Sequence, residues 1–168
     1  MKREDQKLDL ERYQLIPRTL CFIFHGEKLL LLKGAPNKRL WANLYNGIGG
    51  HIQRGENIAS SARREILEET GLEVDNLRLV GLITVDVDPQ AGVGIYVFVA
   101  EATDHHVSPS EEGELEWFAL DNLPHDEMMD DLPPLIDLIL APNDAPPPFC
   151  AHYSYDPHDG ALSITFGA

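Results

Sequence analysis

The sequence predicts an α/β domain in which a mixed β-sheet is flanked by helices. Three observations carry that expectation. Apolar, strand-like runs lie on both sides of one amphipathic helix over residues 57–70. Glycine, proline and asparagine punctuate the chain between the runs, so the runs end in turns. A length of 168 residues with 43% hydrophobic residues fits one ordinary domain with a sizeable core.

Residues 1–17 are mostly polar and read as a loosely held arm, which leaves 18–168 as the domain. Residues 19–24 and 28–32 are apolar runs split by His25-Gly26-Glu27, the pattern of a strand, a tight turn and a strand. Residues 33–46 form a loop with Trp41 and Tyr45 near its end. Asn57 can cap the helix, and Gly71 sits where a helix stops. Residues 77–85 and 93–100 are strand-like. A turn around Asp88-Pro89-Gln90-Ala91-Gly92 joins them, and Pro89 is a turn proline. Residues 115–120 form a short strand in which Trp117 belongs to the core. Residues 135–140 are helical, with Pro133 and Pro134 suited to the first turn. Pro146-Pro147-Pro148 marks a connector. Residues 150–155 and 161–166 flank a hairpin signal at 156–160.

The formal net charge is -15. That excess of acid argues against a nucleic-acid polymer as partner, because phosphate backbones need Lys and Arg. A single nucleotide stays open, since a divalent metal can neutralise its phosphates. Two cysteines, Cys21 in an apolar run and Cys150, suggest no disulfide framework. The N-terminus lacks the apolar segment of a signal peptide, and no stretch approaches the roughly 20 apolar residues of a membrane span. These features predict a soluble cytoplasmic protein with no membrane partner. They leave its oligomeric state open.

The chemistry concentrates in residues 49–72. Residues three and four apart share a helix face, so Glu65, Glu68 and Glu69 converge, with Arg64 one turn before Glu68. Ile58, Ala59, Ala62 and Ile66 form an apolar stripe. Glu69 falls inside that stripe and Glu65 at its edge. Clustered acids aimed at the protein body repel one another and lose hydration. A divalent cation relieves both costs, and carboxylate oxygens with room for water suit Mg²⁺ or Mn²⁺. A solvated acidic face is the competing reading of the same helix.

The same residues match the Nudix box, written G-x5-E-x7-R-E-U-x-E-E-x-G-U with U apolar. Gly50, Glu56, Arg64, Glu65, Ile66, Glu68, Glu69, Gly71 and Leu72 fill every defined position. The chain therefore resembles Nudix hydrolases. The resemblance implies an α/β/α sandwich around a mixed sheet and cleavage of a nucleoside diphosphate linked to another group. It implies that Glu65, Glu68, Glu69 and the Gly49 carbonyl hold Mg²⁺, or Mn²⁺, or help activate water. It implies that Arg64 orients the acids and that Glu56 supports the loop before the helix. A downstream acid is also expected, and Glu111, Glu112 and Glu114 are the candidates.

A finer resemblance, to animal MutT homologues that hydrolyse oxidised purine nucleoside triphosphates, rests on three segments. They are Tyr45-Asn46-Gly47-Ile48-Gly49-Gly50, Asp130-Asp131 before Leu132, and Trp117-Phe118 ahead of Leu120-Asp121-Asn122-Leu123-Pro124. This resemblance implies that Asn46, Asp130 and Asp131 read a purine edge. The base-stacking aromatic of that group is replaced by Met128, with Trp41 a substitute. Bland readings compete: Asn46 holding a turn, and the Asp pair capping a helix. The expected activity is conversion of a purine nucleoside triphosphate to monophosphate and pyrophosphate. The alternatives are a hydrolase of nucleoside diphosphate sugars or dinucleoside polyphosphates, and a catalytically silent nucleotide-binding module.

Overall fold

The computed structural model describes residues 9, 11–37, 41–110, 112–142 and 148–167. Glu111 and the prolines at 146 and 147 lie outside the described residues. The elements are β1 (Gln14–His25), β2 (Lys28–Gly34), β3 (Tyr45–Asn46), α1 (Ile58–Thr70), β4 (Val74–Asp86), β5 (Ala91–Ala102), β6 (Gly113–Ala119), α2 (Leu132–Leu140), β7 (Phe149–Tyr155) and β8 (Leu162–Phe166). A 3-10 turn at His125–Glu127 precedes α2.

The strands form one mixed sheet in the order β3-β2-β1-β5-β4-β7-β8, with β6 paired to β2. β1 runs parallel to β5, and β4 parallel to β7, while the remaining pairs are antiparallel. The arm expected over residues 1–17 does not extend to 17. β1 begins at Gln14, because Gln14, Leu15, Ile16 and Pro17 pair with Ala91, Gly92, Val93 and Gly94 across the parallel edge. β4 likewise starts at Val74 rather than 77, carried past register shifts between Asp75 and Arg78 and between Leu79 and Gly81.

Continuous apolar runs in the central strands are the mark of burial on both faces. Side chains alternate along a strand, so Leu20 and Phe22 point one way and Cys21 and Ile23 the other. The first set packs with Leu29, Leu31, Val97 and Val99 against Leu132, Leu135 and Ile136 of α2. The second packs with Leu30, Phe98 and Ala100 against Ala62 and Ile66 of α1. α1 and α2 thus cover opposite faces, which gives the expected α/β/α sandwich. Each fully buried Ile or Leu contributes about 1.5–3 kcal/mol relative to exposure. No helix among the described residues is long and apolar enough to cross a membrane.

Two features fix α1 in place. The Asn57 side chain accepts hydrogen bonds from the amides of Ala59 and Ser60, each at 3.0 Å. Gly71 ends the helix in the left-handed conformation, with φ 73°. A side chain there would be strained, and its Cβ would meet the Ser108 hydroxyl.

Candidate active site

Glu65, Glu68 and Glu69 of the box and the candidate base-reading residues Asn46, Asp130 and Asp131 line one cleft of about 1170 Å³. The sheet supplies its apolar floor through Leu20, Val85, Val93 and Ile95. The loop before α1 and the helix itself form one end. The segment before α2 and strand β7 form the other.

At the first end, the 49–50 turn comes close to both β1 and α1. A Cβ on Gly49 would sit 2.1 Å from the Thr19 carbonyl oxygen. A Cβ on Gly50 would sit 2.6 Å from the Glu65 carboxyl atoms. Only glycine lets this turn lie against the acid it helps to frame. The Gly49 amide donates to Glu69 Oε2 at 3.3 Å, which ties the last box acid back to the turn.

Arg64 is the organising side chain. Its Nε and Nη2 donate to the two Glu56 oxygens at 2.9 and 3.0 Å, a bidentate pair. Its Nη1 donates to Glu65 Oε1 at 2.8 Å and to Glu68 Oε2 at 3.0 Å. Nη2 also reaches the His51 carbonyl at 3.2 Å and the Ser61 hydroxyl at 3.3 Å. One guanidinium therefore pins the loop, through His51 and Glu56, to the helix that carries the acids. These hydrogen bonds, with help from Ser61, pull the Glu56 carboxyl down to about 2. The same contacts hold the Arg64 pKa above its ordinary value. Beneath the acids, burial first and then Glu69 and Glu65 push the Cys21 thiol up, so it stays a neutral core group.

Glu65 and Glu69 are half-buried and Glu68 is exposed, as the stripe geometry predicts. Four box carboxylates and one Arg64 charge leave an excess of negative charge beside the cleft. An anionic diphosphate could not approach such a surface unaided. Hard oxygen donors with excess negative charge fit a divalent cation of the Mg²⁺ type. Among the downstream acids, Glu112 lines the cleft. Glu114 lies on β6 in register with Lys33 and is not part of the cleft lining.

At the second end stand Asn46, Met129, Asp130, Asp131 and Tyr153. Asn46 Oδ1 accepts from the Gly47 amide at 2.8 Å, so the turn-holding role exists alongside its place in the cleft wall. Asp131 occupies the N-cap position of α2 but makes no side-chain capping bond, so capping does not account for it. Burial raises its pKa, and the neighbouring Asp130 charge adds to the rise. Trp41 lines the cleft with φ 62°, a strained conformation for a bulky side chain that gathers at functional sites.

One expectation is corrected. Met128 does not line the cleft. It is buried in the core facing α2 and bridges Tyr45. Its backbone is extended, with φ -92° and ψ 159°, so successive side chains point to opposite sides and Met129 takes the wall position. Trp117 packs against the α1-side core and donates from Nε1 to the His105 carbonyl at 2.8 Å, in keeping with a structural role.

Sequence reasoning missed Arg18, His51, Tyr153 and Tyr155, all of which line the cleft. Arg18 Nε donates to His51 Nε2 at 3.1 Å. The period-2 pattern of the C-terminal hairpin is the signal that could have found Tyr153, since Ala151 and Tyr153 are the inward positions of β7. Away from the cleft, Asp104, His105 and His106 offer three ligand atoms within 4.8 Å of one another on an exposed bend.

A mixed-sheet sandwich with an arginine-organised acidic helix at a nucleotide-sized cleft defines the class of anhydride-cleaving hydrolases. Comparison with known proteins makes this specific. The NUDIX domain model matches residues 15–139. An oxidized purine nucleoside triphosphate hydrolase of Mus musculus is 33% identical over 148 residues, covering 88% of this chain and 91% of that one. Its namesake in Danio rerio is 33% identical over 114 residues, covering 67% and 72%. A crystal structure of a MutT protein from Bacillus halodurans superposes with a TM-score of 0.69 at 26% identity, covering 90% and 97%. The chain belongs to the Nudix hydrolase family.

Proposed function

We propose that this Nudix hydrolase is a Mg²⁺-dependent pyrophosphohydrolase. It converts purine nucleoside triphosphates, oxidised ones included, to the monophosphate and pyrophosphate. The observation that carries the reading is the single cleft that joins the box acids at one end to Asn46, Asp130 and Asp131 at the other. Its volume suits a ligand of nucleotide size. The relatives named as oxidized purine nucleoside triphosphate hydrolases support the same substrate class.

Glu65, Glu68, Glu69 and the Gly49 carbonyl are the groups that would hold the cation. When bound, it supplies charge neutralisation at the diphosphate and lowers the cost of ionising the attacking water. Arg64 holds Glu65 and Glu68 in place by charge-assisted hydrogen bonds. Glu56 anchors Arg64 and never needs to meet the substrate. A cleft carboxylate takes the proton of the attacking water, and we assign the downstream role to Glu112. The water oxygen bonds to phosphorus, the bridging P–O bond breaks, and the charge leaves on pyrophosphate.

The test is phosphate release, coupled to a pyrophosphatase, across 8-oxo-dGTP, dGTP, dATP, dCTP, a nucleoside diphosphate sugar and a dinucleoside polyphosphate. The expected result is pyrophosphate release from purine triphosphates ahead of dCTP. Cleavage confined to the last two compounds would overturn the substrate assignment. Nucleotide binding without any cleavage would overturn the enzymatic one.

A further inference from the structure

We propose that Arg18 is a substrate-binding residue: its guanidinium donates a forked pair of hydrogen bonds to the phosphate chain of the bound nucleotide. The inference rests on the reading of the box end of the cleft as the place where the diphosphate binds, and it holds for any base. Arg18 lies on β1, on the same face as Leu20 of the cleft floor, and both line the cleft. Its backbone bridges to His51, and the neighbouring Thr19 amide donates to the Gly50 carbonyl at 2.8 Å. That turn is the one whose Gly49 amide reaches Glu69 and whose Gly50 lies against Glu65. The fold therefore sets Arg18 beside the groups that would hold the cation.

Among the described residues lining the cleft, the guanidinium groups are those of Arg18 and Arg64, and they are used differently. Arg64 is committed to Glu56, Glu65 and Glu68. Arg18 donates from Nε to His51 Nε2 at 3.1 Å. A guanidinium only donates, so this ring nitrogen of His51 accepts and carries no proton. The neutral imidazole orients Arg18 without cancelling its charge. Among the described residues Arg18 forms no ion pair, although Glu65, Glu68, Glu69 and Glu112 line the same cleft. The bond through Nε leaves both Nη groups for a ligand, and their planar fork matches two phosphate oxygens. A nucleoside triphosphate carries more negative charge than one divalent cation cancels. Arg18 supplies the further positive charge at that end of the cleft.

Arg18→Gln removes the charge and keeps much of the reach. Inorganic pyrophosphate, titrated by calorimetry in the presence of Mg²⁺, probes the phosphate end and needs no turnover. The variant is expected to bind it at least about tenfold more weakly, as the loss of a charge-assisted contact dictates. Arg18→Lys, which keeps the charge but not the fork, should fall between the two. In turnover, kcat/KM should drop by a similar factor for dGTP and for dCTP, chiefly through KM, leaving their ratio unchanged. Tm should stay close to wild type, because the hydrogen bond lost is to an exposed, neutral imidazole. A lower Tm with pyrophosphate affinity intact would make Arg18 a structural tie between β1 and the turn and overturn the proposal. A changed dGTP-to-dCTP ratio with pyrophosphate affinity intact would make it a base contact and overturn the proposal as well. If the wild type cleaves no triphosphate, the proposed activity fails, and the pyrophosphate titration still decides the contact. Wild-type protein that binds no pyrophosphate, or equal affinity in wild type and Arg18→Gln, would end it.

Discussion

Replacing Arg64 by lysine tests the organisation of the site more sharply than removing a metal ligand does. The guanidinium makes four charge-assisted contacts, two to Glu56 and one each to Glu65 and Glu68, at 2.8–3.0 Å. Its side chain is 22% exposed, so water screens these contacts only in part. An ammonium carries its donors on one nitrogen and cannot span both Glu56 oxygens while facing Glu65 and Glu68. It recovers at most two of the four contacts. Charge-assisted hydrogen bonds contribute about 1.5–3 kcal/mol each, and partial recovery leaves a net loss of about 2–3 kcal/mol. For a domain of this size that lowers Tm by about 5–10 °C. Thermal unfolding followed by circular dichroism measures the loss, and Mg²⁺ titration of activity should move to higher concentration in parallel. Arg64→Lys with wild-type Tm and an unchanged Mg²⁺ midpoint would refute the stapling role. The pH dependence has a definite sign. Glu56 is held at about 2, below its ordinary value of roughly 4.3. Its contribution is therefore complete above the ordinary value and is lost as pH falls toward 2. Wild type and Glu56→Gln should differ in Tm at pH 7 and converge between about pH 4.5 and pH 2.

Glu69→Gln keeps the shape of the acid that accepts from the Gly49 amide and removes its charge. It should lower kcat at least ~100-fold, about 2.7 kcal/mol, with circular dichroism nearly unchanged; wild-type turnover at saturating Mg²⁺ would refute the ligand assignment. Glu112→Gln should slow turnover while Glu114→Gln leaves it within twofold, and the reverse order would move the downstream role to β6. For Asp131, whose folded pKa is raised, stability is lost as pH climbs from the unfolded value through the folded one. Asp131→Asn should therefore gain Tm relative to wild type at pH 7 but not at pH 4, while changing KM for 8-oxo-dGTP and dGTP more than for dCTP. A shift equal at both pH values, or equal for all three nucleotides, would assign Asp131 a purely structural role.

The fold was legible where the local signals agreed. Asn57 and Gly71 bracket α1 as their chemistry dictates, and the apolar runs at 19–24 and 28–32 became the β1–β2 hairpin. The misses came from pairing partners far away in sequence. Gln14 to Pro17 hold only two apolar residues before a proline, too short a run to read as a strand alone, yet a parallel edge on β5 extends β1 through them. The two-residue β3 exists only because Tyr45 and Asn46 meet Lys33 and Leu32. No local pattern encodes either event.

The site divides in the same way. The metal end is written in one contiguous stretch, 49–72, where helix geometry converts spacing directly into proximity, so Arg64, Glu65, Glu68 and Glu69 could be placed together from spacing alone. The base end is assembled from the loop at 41–46, the segment at 129–131 and β7, elements that only the folded sheet brings together. There an error of one residue reverses a side chain. Met128 and Met129 exchanged places because the backbone between a 3-10 turn and α2 is extended, and extended backbone alternates. Tyr153 was invisible for a different reason. Its inward position on β7 reads as ordinary core, and only the folded arrangement sets it in the cleft wall within reach of Asp131. A core tyrosine normally satisfies that group within the protein. Here the group in reach is Asp131, and no spacing in the sequence announces that contact, because only the folded sheet brings β7 beside the segment at 129–131.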